Sequence, residues 1–533
     1  MIWLLQDLDL LSVVLRALSF SFEALAVGGA LFLWLVATPR IAEPSLRAAV
    51  ARFVSWFALA LAIIQALAAA ESSASLMSSG LGLPDVASAV FFRADCVVIA
   101  AALALFFVLR LSGRAAAWSL LPAAIVVSAS VTLSHAASQL DHRAPLLALT
   151  AVHHLGAAAW IGAMPSLLVA LRRTGDTKTA HAIAARFSAL AIASVVLLVL
   201  AGIGLSYFYV ASWQGLYGTS YGIMLLAKIY LLLVTVALGA SNYFLVKGTR
   251  DQSAPILVRL RRFSEAEIGL GFTAIVIAAS MTSMSPARDI GSDQVTRQEI
   301  AQRFRWERPT LHSPSFAQLP KRLPLTTERL ESATFGAGSD NGAMDRAWSE
   351  YNHHWSGLIV LAAGLFAFVA RFKGQQWARN WPLLFMALAV FILLRADPEA
   401  WPLGPHAFWA SFVEPDILEH RLFALIISAF AIFEWAVETG RLTSGRAALV
   451  FPALCALGGA LLLTHMHGFG DDAKNEMLVG LSHSSIAVLG ATAGWARWLQ
   501  IRLPGRKASR FAAWIWPICL VLVGILLLDY REA

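Results

Sequence analysis

The stretch Ser134–Pro165, SHAASQLDHRAPLLALTAVHHLGAAAWIGAMP, leaves one apolar run at His135, crosses a short polar loop through His142 and enters a second apolar run with His153 and His154 in its first turn. Each run is about 20 residues long, enough to cross roughly 30 Å of hydrocarbon as a helix, and neither shows the strict alternation of a barrel strand. Similar runs recur along nearly the whole chain. The expected fold is an all-α polytopic integral membrane protein, with four imidazoles at one mouth of two spans.

Composition agrees with this. The 533 residues are 58% hydrophobic and 14% charged, against roughly 25% charged in a soluble domain. The net charge of +8 bears on how the spans are oriented and does not point to a nucleic acid partner. Cys96, Cys455 and Cys519 are scattered through apolar runs without a CxxC pair, so they read as small buried hydrophobes and not as a disulfide or zinc framework. The N-terminal MIWLLQDLDLL has no basic region ahead of its apolar run and reads as a retained first span.

About fourteen spans are expected: 11–37, 50–70, 90–110, 115–134, 148–171, 186–208, 222–246 and 265–285, then 354–371, 380–395, 418–438, 447–464, 478–500 and 511–529. Connections after odd-numbered spans carry the basic residues, among them Arg110, Arg172, Arg173, Arg261, Arg262, Arg371, Arg441 and Arg502. The positive-inside rule makes these connections cytoplasmic and places both termini outside. The polar tract 287–350 divides an eight-span half, 1–286, from a six-span half, 351–533. It contains a capping box at Thr296 and Glu299 and a proline-rich stretch from Pro309 to Pro324. With few apolar residues of its own, it reads as an outer linker or lid.

The halves are related. A shift of 330 residues superposes Pro122 on Pro452, Ser134 on Thr464, His135 on His465, His153 on His483 and Arg172 on Arg502 without a gap. Spans 9–14 are therefore expected to be a parallel repeat of spans 1–6, with both histidine pairs on one membrane side.

Orientation sorts the chemistry. Of the 13 histidines, all but His181 fall in outer connections or at outer span ends, accompanied by Met77, Met281, Met284, Met344, Met466 and Met477. Imidazole with thioether suits copper, the thioether favouring Cu(I), whereas imidazole with oxygen donors suits Cu(II). The leading metal candidates are the repeated positions His135, His153, His465 and His483. The eighteen-residue spacing within each pair allows a helix end, a loop and a helix start, which would put both rings at similar depth. Small residues that follow on the same helices, Gly156 and Ala157, Ala487 and Gly490, mark packing faces and turn these histidines into the bundle.

His154 is about 100° around the helix from His153 and ranks below it. In Thr464–His467, THMH, an extended backbone would place His465 and His467 on one side with Met466 opposite; a solvated helix cap is the alternative. Each candidate histidine has the plainer option of a hydrogen bond to a carbonyl, and His353 and His354 read as interfacial anchors beside Trp355. Glu23, Asp95, Lys228, Glu267 and Glu434 lie inside spans, where exposure to hydrocarbon costs several kcal/mol. They are expected to pair, to pack helices or to line a path.

The tracts RFSALAIASVVLLVLAGIGLSYFYV (186–210), YGIMLLAKIYLLLVTVALGASNYFLV (221–246) and RRFSEAEIGLGFTAIVIAASMTSMSP (261–286) resemble the copper resistance protein D (CopD) family, with Tyr-Gly before a span, Lys228 within it, Asn242 at its end and Glu265 and Glu267 opening the next. The similarity covers about residues 115–286. The segment from THMH to GWARWLQIRLP resembles the second half of the long, two-part members. The resemblance implies a bacterial inner-membrane protein of copper homeostasis that moves copper across the membrane and works with a small periplasmic copper-binding protein of the copper resistance C type.

Two other functions compete with a copper permease: a b-type haem protein passing electrons, with histidines of neighbouring spans as axial ligands, and a copper-binding sensor or assembly factor without transport. The chain carries no CxxCH motif and no Walker motif, so covalent haem and ATP-driven pumping are not expected.

Overall fold

The computed structural model describes residues 2–41, 43–111, 115–248, 254–314, 339–397, 400–404, 407–409, 415–463, 473–503, 505 and 507–531. Among these the protein is all-α, and twelve helices are long and apolar enough to cross a membrane. It is a multi-pass membrane protein. The chain divides into two compact units, 1–294 with 460–469 and 295–459 with 470–533.

The first unit holds α1 (Ile2–Phe32, continued by a π-helical turn over Leu33–Ala37), α2 (Pro44–Ser78), α3 (Val90–Leu111), α4 (Leu120–Val131), α5 (Arg143–Ala157), α6 (Met164–Arg173), α7 (Thr177–Tyr209), α8 (Ser220–Gly248) and α9 (Ala254–Met281). A second π turn, Ala158–Gly162, joins α5 to α6. α1 lies against α2, α9 and this π turn; α3 lies against α2 and α4, and α7 against α5. The core is built from small and branched residues of α1, α2, α3 and α6, including Ala26, Val50, Val98 and Leu171.

The second unit holds α10 (Arg297–Arg303), α11 (Ser339–Val369), α12 (Leu383–Arg395), α13 (Pro415–Glu438), α14 (Val450–Leu462) as far as Gly459, α15 (Ala473–Arg502) and α16 (Lys507–Leu528). α11 and α16 touch backbone to backbone through glycines. A Cβ on Gly524 would lie 2.5 Å from the Leu361 nitrogen, and one on Gly357 would lie 2.7 Å from the Leu528 nitrogen. α14 and α15 meet in the same way at Gly459 and Gly494. Small residues permit this approach where hydrocarbon supplies no hydrophobic drive between helices.

Two expected spans are shorter than hydropathy indicated. Residues 115–134 break into Ala115–Trp118 and α4, only 12 residues long, and α14 is likewise preceded by a separate turn, Ala447–Leu449. Pro122 and Pro452 each occupy the third position of the shortened helix. Proline disfavours helical conformation in the residue before it and donates no hydrogen bond, so an entering helix is interrupted there. The cysteines also differ from expectation: Cys519 is buried and Cys455 half-buried, but Cys96 is exposed on α3, on a face turned away from the rest of its unit.

The capping box at Thr296 forms. The Thr296 N–H donates to Glu299 Oε2 at 2.6 Å, and the Glu299 N–H donates to Thr296 Oγ1 at 3.2 Å. From α10, Arg303 donates to the carbonyls of Asp529 and Arg531 and to the Ser482 hydroxyl, and Lys474 Nζ pairs with Glu299 Oε1 at 2.8 Å. Residues 315–338, with most of the proline-rich tract, lie outside the described residues.

The hydrogen bond from Lys474, followed by those from Thr296, holds the Glu299 carboxyl at about 2, below its ordinary 4.5. Because the folded-state value is depressed, the contribution is present above about pH 4.5 and is lost as pH falls towards 2. Acid titration of thermal stability is expected to show this loss in the wild type and a flatter response over that window in Glu299→Gln.

Candidate functional site

Along α1, Arg16, Ser19 and Glu23 follow at i, i+3 and i+7 and so share one face of the helix. The depth and rotation of that face are set by backbone contact with the π turn. A Cβ on Gly28 would lie 2.0 Å from the Ala158 carbonyl oxygen, and one on Gly162 would lie 1.9 Å from the Ala24 carbonyl oxygen. Only glycine fits at either place. The crossing brings Glu23 against His154, with Nδ1 to Oε1 at 3.0 Å, and Phe20 meets the same imidazole edge-on at 5.6 Å. With Glu23 ionised, His154 Nδ1 is the donor, and Nε2 is then the nitrogen that carries a lone pair.

His153, one position earlier, points elsewhere. Its ring stands beside Gly202 of α7, where a Cβ would lie 3.7 Å from Cε1 and 3.8 Å from Nδ1. Nδ1 of His153 is buried with no hydrogen-bond partner among the described residues. Lys228 of α8 lies near enough for its charge to act on both rings. One turn before Lys228, on the same face, comes the fully buried Met224, a thioether that sorting methionines by their place at outer ends had passed over.

These positions correct the expected geometry. α5 begins at Arg143, so His153 and His154 sit in its third turn, about 15 Å along the axis from its start, and not in its first. His135 opens a separate four-residue helix, His135–Ser138, and has different neighbours: the backbone of Met281 and Thr282 at the end of α9, and Arg16, whose Nη1 donates to Thr282 Oγ1 at 2.6 Å. Burial, reinforced by the Arg16 charge, holds the His135 imidazole below its ordinary 6.5. It is neutral at pH 7, and its Nε2 is buried without a hydrogen-bond partner among the described residues.

Of the other charges inside spans, Asp95 accepts from Gln65 Nε2 at 2.7 Å, and Ser19 donates to the same glutamine, tying α1, α2 and α3 together. Glu267 accepts from Asn242 Nδ2 at 2.5 Å and joins α8 to α9, about 21 Å along α8 from Lys228. Glu23 and Lys228 thus gather at the histidines, while Asp95 and Glu267 serve contacts between helices.

In the second unit His483 donates from Nδ1 to the Val479 carbonyl at 3.1 Å, and its ring stands edge-on to Tyr530 at 5.7 Å and to His353 at 6.1 Å. His353 stacks on Tyr530 at 3.8 Å and donates from Nδ1 to the Ser349 carbonyl at 2.7 Å. Both lone pairs are therefore on Nε2. His353 is thus a neighbour of His483, a role that its reading as an anchor had missed. His354 is structural: the Thr310 N–H donates to its Nδ1 at 2.8 Å, and Nε2 donates to the Tyr530 carbonyl at 2.8 Å. His465, Met466 and His467 lie outside the described residues. Among the described residues no group of three or more His, Cys, Asp or Glu is placed to hold a metal ion.

Residues 181–281, which cover α7 from His181 together with α8 and α9, match the family described as copper resistance protein D. The chain is 28% identical to copper transport protein CutJ of Bacillus subtilis (strain 168) over 136 residues, 25% of this chain and 24% of that protein. It therefore spans about a quarter of that relative's length. No solved structure gives a significant match. Within a larger multi-pass membrane chain, residues 181–281 are thus similar to the copper resistance protein D family.

Proposed function

We propose that the protein moves copper across the bacterial inner membrane, taking the ion at histidine and methionine sites on the periplasmic side, where both termini lie. The observation that carries this is the adjacent pair on α5: His153 with a buried, unpartnered Nδ1, and His154 with Nδ1 held by Glu23. A carboxylate on one imidazole nitrogen fixes the ring and raises the basicity of the other, the usual support for a metal-binding histidine. Neutral imidazoles suit copper in either oxidation state, and thioethers favour Cu(I).

In this reading His135 receives the ion at the mouth and His153 and His154 take it deeper, against the domain formed by α7, α8 and α9. Lys228 raises the energy of a bound cation and so favours its release, since conduction needs sites that bind without trapping. His465 and His483, with His467 and Met466, are the proposed counterparts 330 residues further along the chain. A small periplasmic protein of the copper resistance C type is the proposed donor or acceptor. Cells carrying alanine at His135, His153, His465 and His483 are expected to change copper accumulation and tolerance relative to the wild type at equal protein level; unchanged values would contradict the proposal.

A further inference from the structure

The second unit carries a cavity of about 280 Å³ at the arginine-rich end of its helices, lined by Ala370, Arg371, Arg379, Val437, Glu438 and Arg497. Three guanidiniums face one carboxylate there. Glu438 is already engaged: one oxygen pairs with Arg497 and the other with Arg371 at 3.6 Å. Behind it Glu434, fully buried, takes Arg497 at 3.3 Å. Two carboxylates thus balance Arg371 and Arg497, while Arg379, exposed on the turn Gln376–Asn380, forms no ion pair among the described residues and adds its positive charge beside Arg371. Arg497 also keeps a buried Nε without a hydrogen-bond partner.

The guanidiniums are held in place. Arg371 and Arg497 both lie over the Trp516 ring, at 5.3 and 5.1 Å from its centroid. Gln500 Oε1 accepts from Arg497 at 3.0 Å and from the Trp516 indole at 2.7 Å, and Arg371 Nε donates to the Ala367 carbonyl at 3.2 Å. Fixed, planar donors with surplus positive charge match the oxygens of a phosphate group, which guanidinium binds through two parallel hydrogen bonds. Basic pockets between helices at a membrane surface take anionic lipid headgroups through the same chemistry.

We propose that this cavity binds a phosphate group, with Arg379 as the entry residue and Arg371 and Arg497 as the fixed wall, independently of copper. An anionic phospholipid headgroup and free phosphate share that chemistry, and the test separates them. The full chain is purified in neutral detergent, and its thermal unfolding midpoint is followed during titration with phosphatidylglycerol, with phosphatidylcholine or with inorganic phosphate.

Stabilisation by phosphatidylglycerol alone identifies a lipid site, and stabilisation by inorganic phosphate identifies a site for the small anion; either supports the proposal. In Arg379→Gln, whose side chain is exposed and not needed for folding, the half-saturating concentration should rise about fivefold. Arg446→Gln, a neutralisation elsewhere in the arginine-rich loops, should leave it unchanged. No stabilisation by either anion, or an equal loss in both variants, which would indicate unspecific surface charge, overturns the proposal.

Discussion

Gly162→Ala is expected to lower the folded yield sharply and to abolish copper handling by whatever protein remains. The added Cβ would sit 1.9 Å from the Ala24 carbonyl oxygen and 2.4 Å from its carbon, and both are helix backbone that no rotamer change can move. α1 must back away, which costs about 1–3 kcal/mol or more, and Glu23, next to Ala24, is carried off His154. Gly28→Ala should act in the same way from the other side of the crossing. Gly204→Ala is the control, because its Cβ meets only the end of the Leu149 side chain, at 2.9 Å, which can turn aside. Size-exclusion profiles, thermal midpoints and copper accumulation per folded molecule would check the pattern; a Gly162→Ala protein as stable and active as the Gly204→Ala control would contradict it.

Arg497→Met is expected to be the most destabilising single change in the second unit. Glu434 has no exposed surface and Arg497 only 6%, so removing the guanidinium strands one fully buried carboxylate and frees the Glu438 oxygen it held. Breaking a buried pair from one side costs about 3–5 kcal/mol, whereas replacing both partners with apolar groups of similar volume is often neutral. Arg497→Met combined with Glu434→Met should therefore recover much of the stability that the single variant loses. Thermal unfolding in detergent would decide it, and a single variant no less stable than the double would refute the assignment.

Much of the fold was legible because hydrocarbon imposes a length on each helix and loop charge imposes an order. The segment 90–110 reads the same from hydropathy as from the structure, where it lies at Val90–Arg110. The misses have local causes. The expected span opened at 148, but α5 begins earlier, at Arg143, because the apolar residues Ala144 to Leu147 already belong to the helix. His153 was thereby placed two turns too near the mouth, and the even depth expected for His135 and His153 went with it. Pro122 and Pro452 shorten two spans for a reason visible in the chain, although hydropathy does not register it.

The site was legible in its members and not in its pairings. Glu23, Lys228, His153 and His154 all stood out as costly residues in apolar runs. That Glu23 meets His154 rests on a glycine crossing between positions 131 residues apart, which no local pattern encodes. The stripe Arg16, Ser19, Glu23 on α1 was the available signal that this face is polar. His353 beside His483 likewise depends on helices distant in sequence, and the repeat drew attention to His465 instead.

The most direct test of the central claim is copper flux into proteoliposomes that hold a copper-sensitive chelator dye. The purified wild type is predicted to load the vesicles with copper faster than protein-free vesicles, and faster than the variant with alanine at His135, His153, His465 and His483. Equal rates in all three preparations, with the proteins shown to be folded and inserted, would contradict copper transport through these histidines.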